Sequence, residues 1–101
     1  MIIPTHFYID KKKYQIIFDR AECEDAEALG LFYEDDREIF LTKIYKGQKQ
    51  SKTEIEKTLL HEITHSILTS MGRPELSADE DFVDDFGNRL HQVLKYLYPK
   101  K

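Results

Sequence analysis

The sequence predicts an α+β domain, with a short antiparallel or mixed β-sheet followed by two long helices. Three observations carry that expectation. Residues 6–41 contain short runs of β-branched and aromatic residues separated by polar, turn-like clusters. From residue 51 onward the apolar residues change to a helical period. Capping signals and prolines then mark where the helical segments start and stop.

Taken in order, His6 to Ile9 precedes a turn-like Asp10-Lys11-Lys12-Lys13, and Tyr14 to Phe18 follows it, so the two runs are candidates for a hairpin. The acidic, Ala-containing stretch from Arg20 to Ala28 suits a short helix. Gly30 to Tyr33 and Glu38 to Leu41 flank Glu34-Asp35-Asp36-Arg37, which reads as a second hairpin with a four-residue polar turn. Lys43 to Lys57 reads as a solvated loop and helix start rather than a nucleic-acid site, because it is short and contains Glu54 and Glu56. Ser51-Lys52-Thr53-Glu54 has the form of a capping box, and Ile55, Leu59, Leu60, Ile63 and Ile67 recur behind it at helical spacing until Gly72 and Pro74. Ser77-Ala78-Asp79-Glu80 repeats the capping pattern. Phe82, Phe86, Leu90, Val93 and Leu97 form the apolar stripe of the following helix, which stops at Pro99. Helices of about twenty residues are roughly 30 Å long, enough to lie across a small sheet and against each other.

No repeat, low-complexity tract or Pro/Gly linker divides the chain, so residues 1–101 read as a single domain. Fifteen Lys and Arg against nineteen Asp and Glu give a net charge of −4, which argues against a general nucleic-acid or membrane-surface binder. Apolar runs are too short to span a membrane, and the N-terminal residues lack the basic and apolar regions of a secretory signal. The expected location is the cytoplasm. A single Cys23, set among acids, fits a reducing compartment and makes a poor nucleophile, because neighbouring carboxylates raise a thiol's pKa.

The informative segment is His61-Glu62-Ile63-Thr64-His65. Residues four apart share a helix face, so both imidazoles can converge on one metal ion with Glu62 beside them. Zinc accepts imidazole nitrogen, a catalytic site needs three protein ligands and an open fourth position, and Glu62 can then act as general base. On the helical wheel the two histidines group away from Ile63, Ile67 and Leu60, and so face a cleft or solvent. A third ligand is expected downstream, among Asp79, Glu80, Asp81, Asp84 and Asp85. Asp81 falls nearly opposite the Phe82/Phe86/Leu90 stripe, where solvent is expected, whereas Glu80 borders the apolar side through Val83 and Gly87. Glu80 also matches the N3 partner of Ser77 in the capping box, so the pattern leaves both roles open. Asp84, one turn on, can accept a hydrogen bond from the free ring nitrogen of a ligating histidine, and Gly87 would let two helices approach closely. His91 lies about 17 Å along the helix from Glu80, too far to share its ion, and reads as a satisfied polar residue rather than a cleft residue. His6 has no spacing partner and is read as structural or exposed.

HEITH at 61–65 and EDFVDDFGNRL at 80–90 together resemble the small gluzincin-type zinc metallopeptidases of the ImmA/IrrE family and the short zincin-like proteins of phages and prophages. The resemblance spans about Gly30 to Leu94. It implies a zincin-like fold, Zn²⁺ as cofactor and a peptide or protein substrate. Residue by residue, it implies His61, His65 and Glu80 as ligands, Glu62 as general base and Asp84 as the carboxylate behind a ligand. It also implies that the strand before the motif helix, Gly30 to Tyr33 or Glu38 to Leu41, lines the substrate cleft. The chain departs from the family in carrying Gly87 where Ala is usual and in ending after the second helix without a further subdomain, which leaves the oxyanion-stabilising group unassigned. Relatives of the SprT type, with a third histidine, match less well. Hydrolysis of peptide bonds is the leading expectation. The alternative is a non-catalytic module stapled by zinc, which a closed fourth coordination position would favour.

Overall fold

In the computed structural model, which describes residues 1–99, Asp10 and Lys11 both adopt left-handed backbone, with φ of 51° and 67°. Two successive positive φ values make the tight turn that matches strand twist, so β1 (His6–Ile9) and β2 (Lys12–Phe18) pair as the expected antiparallel hairpin. The turn is two residues rather than four, and Lys12 and Lys13 belong to β2. Helix α1 (Arg20–Asp25) follows, capped by the Asp19 side chain, which accepts from Glu22 N at 3.1 Å. Strands β3 (Gly30–Tyr33) and β4 (Glu38–Leu41) form the second hairpin around the expected turn. Strand β4 then pairs with β2 in parallel, giving a mixed four-stranded sheet of order β1-β2-β4-β3 with β3 at an edge. The stretch expected as loop contains a small hairpin of β5 (Ile44–Tyr45) and β6 (Gln48–Lys49), turned by Lys46 and Gly47 at φ 50° and 80°.

One face of the sheet makes the core. Tyr14 and Ile16 of β2 and Ile39 and Leu41 of β4 are buried with Leu59, while Phe7, Phe32, Ile55 and Ile63 pack around them. Leu59 comes from α2 (Lys52–Ser70), which begins at the expected cap: Ser51 Oγ accepts from Glu54 N at 3.1 Å. Its end is a Schellman turn. Gly72, at φ 71°, donates to Thr69 O and Arg73 donates to Leu68 O, each at 3.0 Å. Pro74 both stops α2 and opens a four-residue helix, α3 (Pro74–Ser77), as its fixed φ and missing N–H allow.

Helix α2 packs on β3 and β4 on one side and on α4 (Glu80–Leu97) on the other, so it is the middle of three layers. It therefore buries polar groups as well as apolar ones. Thr64 and Ser66 donate to backbone carbonyls of their own helix, and Glu56 Oε1 lies 2.9 Å from Nε2 of the buried His91. His91 is thus the satisfied polar residue expected of it rather than a cleft residue. The Met1 amine lies 3.7 Å from the other Glu56 oxygen.

Two expectations for α4 need correction. The helix is capped by Asp79, whose side chain accepts from Phe82 N at 3.1 Å, so Ser77 does not open it and Glu80 is its first residue rather than a capping-box partner. The face that packs is Val83, Gly87 and His91; Phe82, Phe86, Val93 and Leu97 lie at least one-third exposed. Close approach decides between the two stripes. A Cβ built on Gly87 would lie 3.4 Å from His61 N and 3.5 Å from His61 Cα, a spacing no phenylalanine can occupy.

Those distances are ordinary contacts for a methyl group. Gly87→Ala is therefore expected to stabilise the protein by about 0.5–1 kcal/mol through helix preference and reduced unfolded-chain entropy. Urea denaturation checks this, and a clear loss of stability would show that the α2–α4 spacing cannot take the methyl.

Candidate metal centre

One turn of α2 separates His61 and His65, and their rings sit 5.0 Å apart at 69°. Both are partly buried. Glu80 meets them from α4, because α3 and the Asp79 cap bring the start of that helix back over the middle of α2. Glu80 Oε1 lies 3.1 Å from His61 Nε2, and Glu80 Oε2 lies 3.4 Å from His65 Nε2. Among the described residues these three offer ligand atoms that all lie within 4.8 Å of one another. A tetrahedral ion with bonds of about 2.0–2.1 Å holds its ligand atoms roughly 3.3 Å apart, so the two His–Glu distances and the donor chemistry suit zinc.

The second ring nitrogens have partners too. His65 Nδ1 is 2.9 Å from Ser77 Oγ, and His61 Nδ1 is 3.5 Å from Asp84 Oδ1. A proton held at Nδ1 leaves the lone pair on Nε2, the atom that faces Glu80. Asp84 thus lies beside a ring nitrogen of His61, one turn on from Glu80. Ser77 faces His65 rather than capping α4, and nothing in its spacing from His65 marks it as an imidazole partner. Burial, more than any neighbouring charge, holds the His65 pKa below its usual value, which favours the neutral ring that binds metal.

Glu62 is buried and lies against β3. Its closeness to that strand depends on Gly30: a Cβ there would lie 3.3 Å from Glu62 Cγ and only 2.5 Å from Thr58 Cγ2. Burial pushes the Glu62 carboxyl up to about 7, with His61 pulling it down and Glu80 adding to the rise. A carboxyl that titrates near neutrality can both take and return a proton.

The site opens into a cleft of about 780 Å³ between β3 and the α2–α3 corner, lined by Gly30, Phe32, Glu62, His65, Pro74 and Glu80. A smaller recess of about 440 Å³ continues past Glu62 and His61 to Lys57, Asp84 and Asn88. Of the two candidate cleft strands, β3 is the one that lines it; β4 is covered on both edges by β2 and β3.

The remaining candidates lie elsewhere. Asp81 is exposed, His6 is exposed at the start of β1, and His91 is paired with Glu56. Cys23 is completely buried, and burial first, then Asp19 and Glu22, pushes its thiol up to about 11. That supports reading it as unreactive, with burial outweighing the carboxylates named from the sequence. No described helix is long and apolar enough to cross a membrane. Comparison of the chain with protein-family models, curated proteins and solved structures finds no match.

Proposed function

We propose that the chain is a zinc-dependent peptidase of gluzincin-like, zincin-type architecture, with His61, His65 and Glu80 as the metal ligands. The observation that carries this reading is the meeting of those three side chains, from two helices, with ligand atoms within 4.8 Å of one another beside a buried Glu62. Bound there, zinc would polarise a substrate carbonyl and lower the pKa of a water.

The chain's own residues supply the rest. Glu62 takes a proton from the attacking water and passes it to the departing amine nitrogen, so no covalent enzyme intermediate forms. Burial raises its carboxyl towards neutrality, which suits both transfers. Asp84 and Ser77 hold the two imidazoles in orientation through their Nδ1 atoms. Strand β3 runs along the cleft with one edge unpaired in the sheet, so its backbone N–H and C=O groups can receive an extended peptide as an added strand.

A zinc-stapled, non-catalytic module would need a closed fourth position and would have no use for Glu62. The cleft beside the three ligands favours the enzyme. Protein purified without chelator is expected to hold one zinc per chain and to cut members of a quenched-fluorescent peptide library, with activity lost on chelation and restored by zinc. Absence of metal binding would sink the site. Stoichiometric zinc with no cleavage across the library would transfer the assignment to the stapled module.

A further inference from the structure

Helix α4 leaves its most apolar stripe outside the fold. Phe82, Phe86, Val93 and Leu97 are between 36% and 64% exposed, and the Phe82 and Phe86 rings stack at 6.0 Å. Their spacing is symmetric. Measured from the midpoint between Arg89 and Leu90, Phe82 and Leu97 are equally distant, and so are Phe86 and Val93. A second copy of the helix running antiparallel therefore meets Phe82 with Leu97 and Phe86 with Val93. Charge runs in the same sense. Of the acids not facing the histidines, Asp79, Asp81 and Asp85 lie at the start of the helix, whereas its basic residues, Arg89 and Lys95, lie further on. Antiparallel pairing sets unlike halves together, and parallel pairing would set the acidic ends against each other.

We propose that the chain forms a two-fold homodimer through antiparallel α4 helices, with the dyad at Arg89 and Leu90. Such a contact is isologous, as two-fold dimers require. The area suffices. With aromatic side chains able to bury about 150–250 Å² each, the exposed parts of the four stripe residues and Tyr96 amount to roughly 500 Å² per copy, or about 1,000 Å² for the pair. Glu80 and Asp84 project from the other side of α4, where they meet His61 and His65, so the cleft stays open in the dimer. Dimerisation and zinc binding are therefore separable, and neither proposal stands or falls with the other.

Light scattering behind size exclusion is expected to give twice 12.0 kDa for the full chain. Phe86→Glu and Val93→Lys should each weaken the dimer by about thirty-fold or more, as loss of a central apolar anchor does. Helix content by circular dichroism and zinc stoichiometry should not change. The F86E/V93K double variant should regain dimer, because only the antiparallel register brings the two new charges face to face. Cross-linking reads the register directly, with the buried Cys23 silent. Arg89→Cys, at the dyad, should form an intermolecular disulfide, whereas Phe82→Cys should not, its two copies being about 22 Å apart. A chain that stays monomeric at every concentration, a dimer untouched by either charge substitution, or a fast Phe82→Cys cross-link would each overturn the proposal. The monomer outcome would give the stripe to a different protein.

Discussion

Replacing Glu62 with Gln is expected to slow peptide hydrolysis by about 10²–10⁴-fold, the usual worth of a general acid–base group. The amide keeps the side chain's size and sits in the same buried place against β3, but it can neither accept the proton of the attacking water nor return it to the amine. Folding should tolerate the change. Burial already pushes the Glu62 carboxyl towards its neutral form, so a neutral amide meets a similar environment. Zinc content should stay at one per chain, because Glu62 is not one of the three converging side chains. Loss should appear in kcat with KM little changed, since the amide removes a step and not a binding contact. Asp81→Asn, on the exposed side of α4, is the control that should alter neither activity nor metal. A Glu62→Gln protein cutting at the parent rate would refute the proton-transfer role.

His65→Ala should lose stoichiometric zinc and with it a large share of stability. With zinc at a thousandfold its Kd, binding to the folded state alone contributes about 4 kcal/mol. For a domain of about a hundred residues that corresponds to roughly 15–30 °C in melting temperature. The three proposed ligands come from α2 and α4, so a bound metal would add a tie between two layers that already pack through Val83, Gly87 and His91. His61→Ala should behave alike, and chelation of the parent should reproduce both variants. Scanning calorimetry with and without chelator decides the matter: equal melting temperatures would separate the metal from the fold, although the catalytic reading would survive.

What the sequence made legible was what local chemistry decides. Two hairpins, the Ser51 cap and the stop at Gly72 follow from turn and capping residues acting over a few positions. The histidine pair was legible because helical spacing alone brings two side chains to one face. Glu80 and Asp84 could be placed because they share a side of α4 with Val83 and Gly87. The packing of α4 was not legible, because apolar periodicity marks which side chains avoid water in isolation and not which backbone can come within contact of another. Gly87 carries that information as an absence of side chain, and the Phe82 stripe outweighed it. Ser77 is a related case: a serine before an acidic helix start fits a cap equally well, and only tertiary structure shows that it faces His65 while Asp79 caps. The Ile44–Lys49 hairpin was too short to leave a periodic signal beyond Lys46-Gly47.

Helix α4 is pinned to α2 at two points, by Glu80 at the histidines and by His91 at Glu56, eleven residues and about 17 Å apart along its axis. Between those points Val83 and Gly87 are buried, with Gly87 seated against the backbone of Leu60 and His61. The helix is therefore held along this length rather than hinged at one end, and Glu80 stands against both histidines before any ion is bound. An ion entering there would need no helix to refold, so most of the ordering cost of assembling the site is already met by the fold.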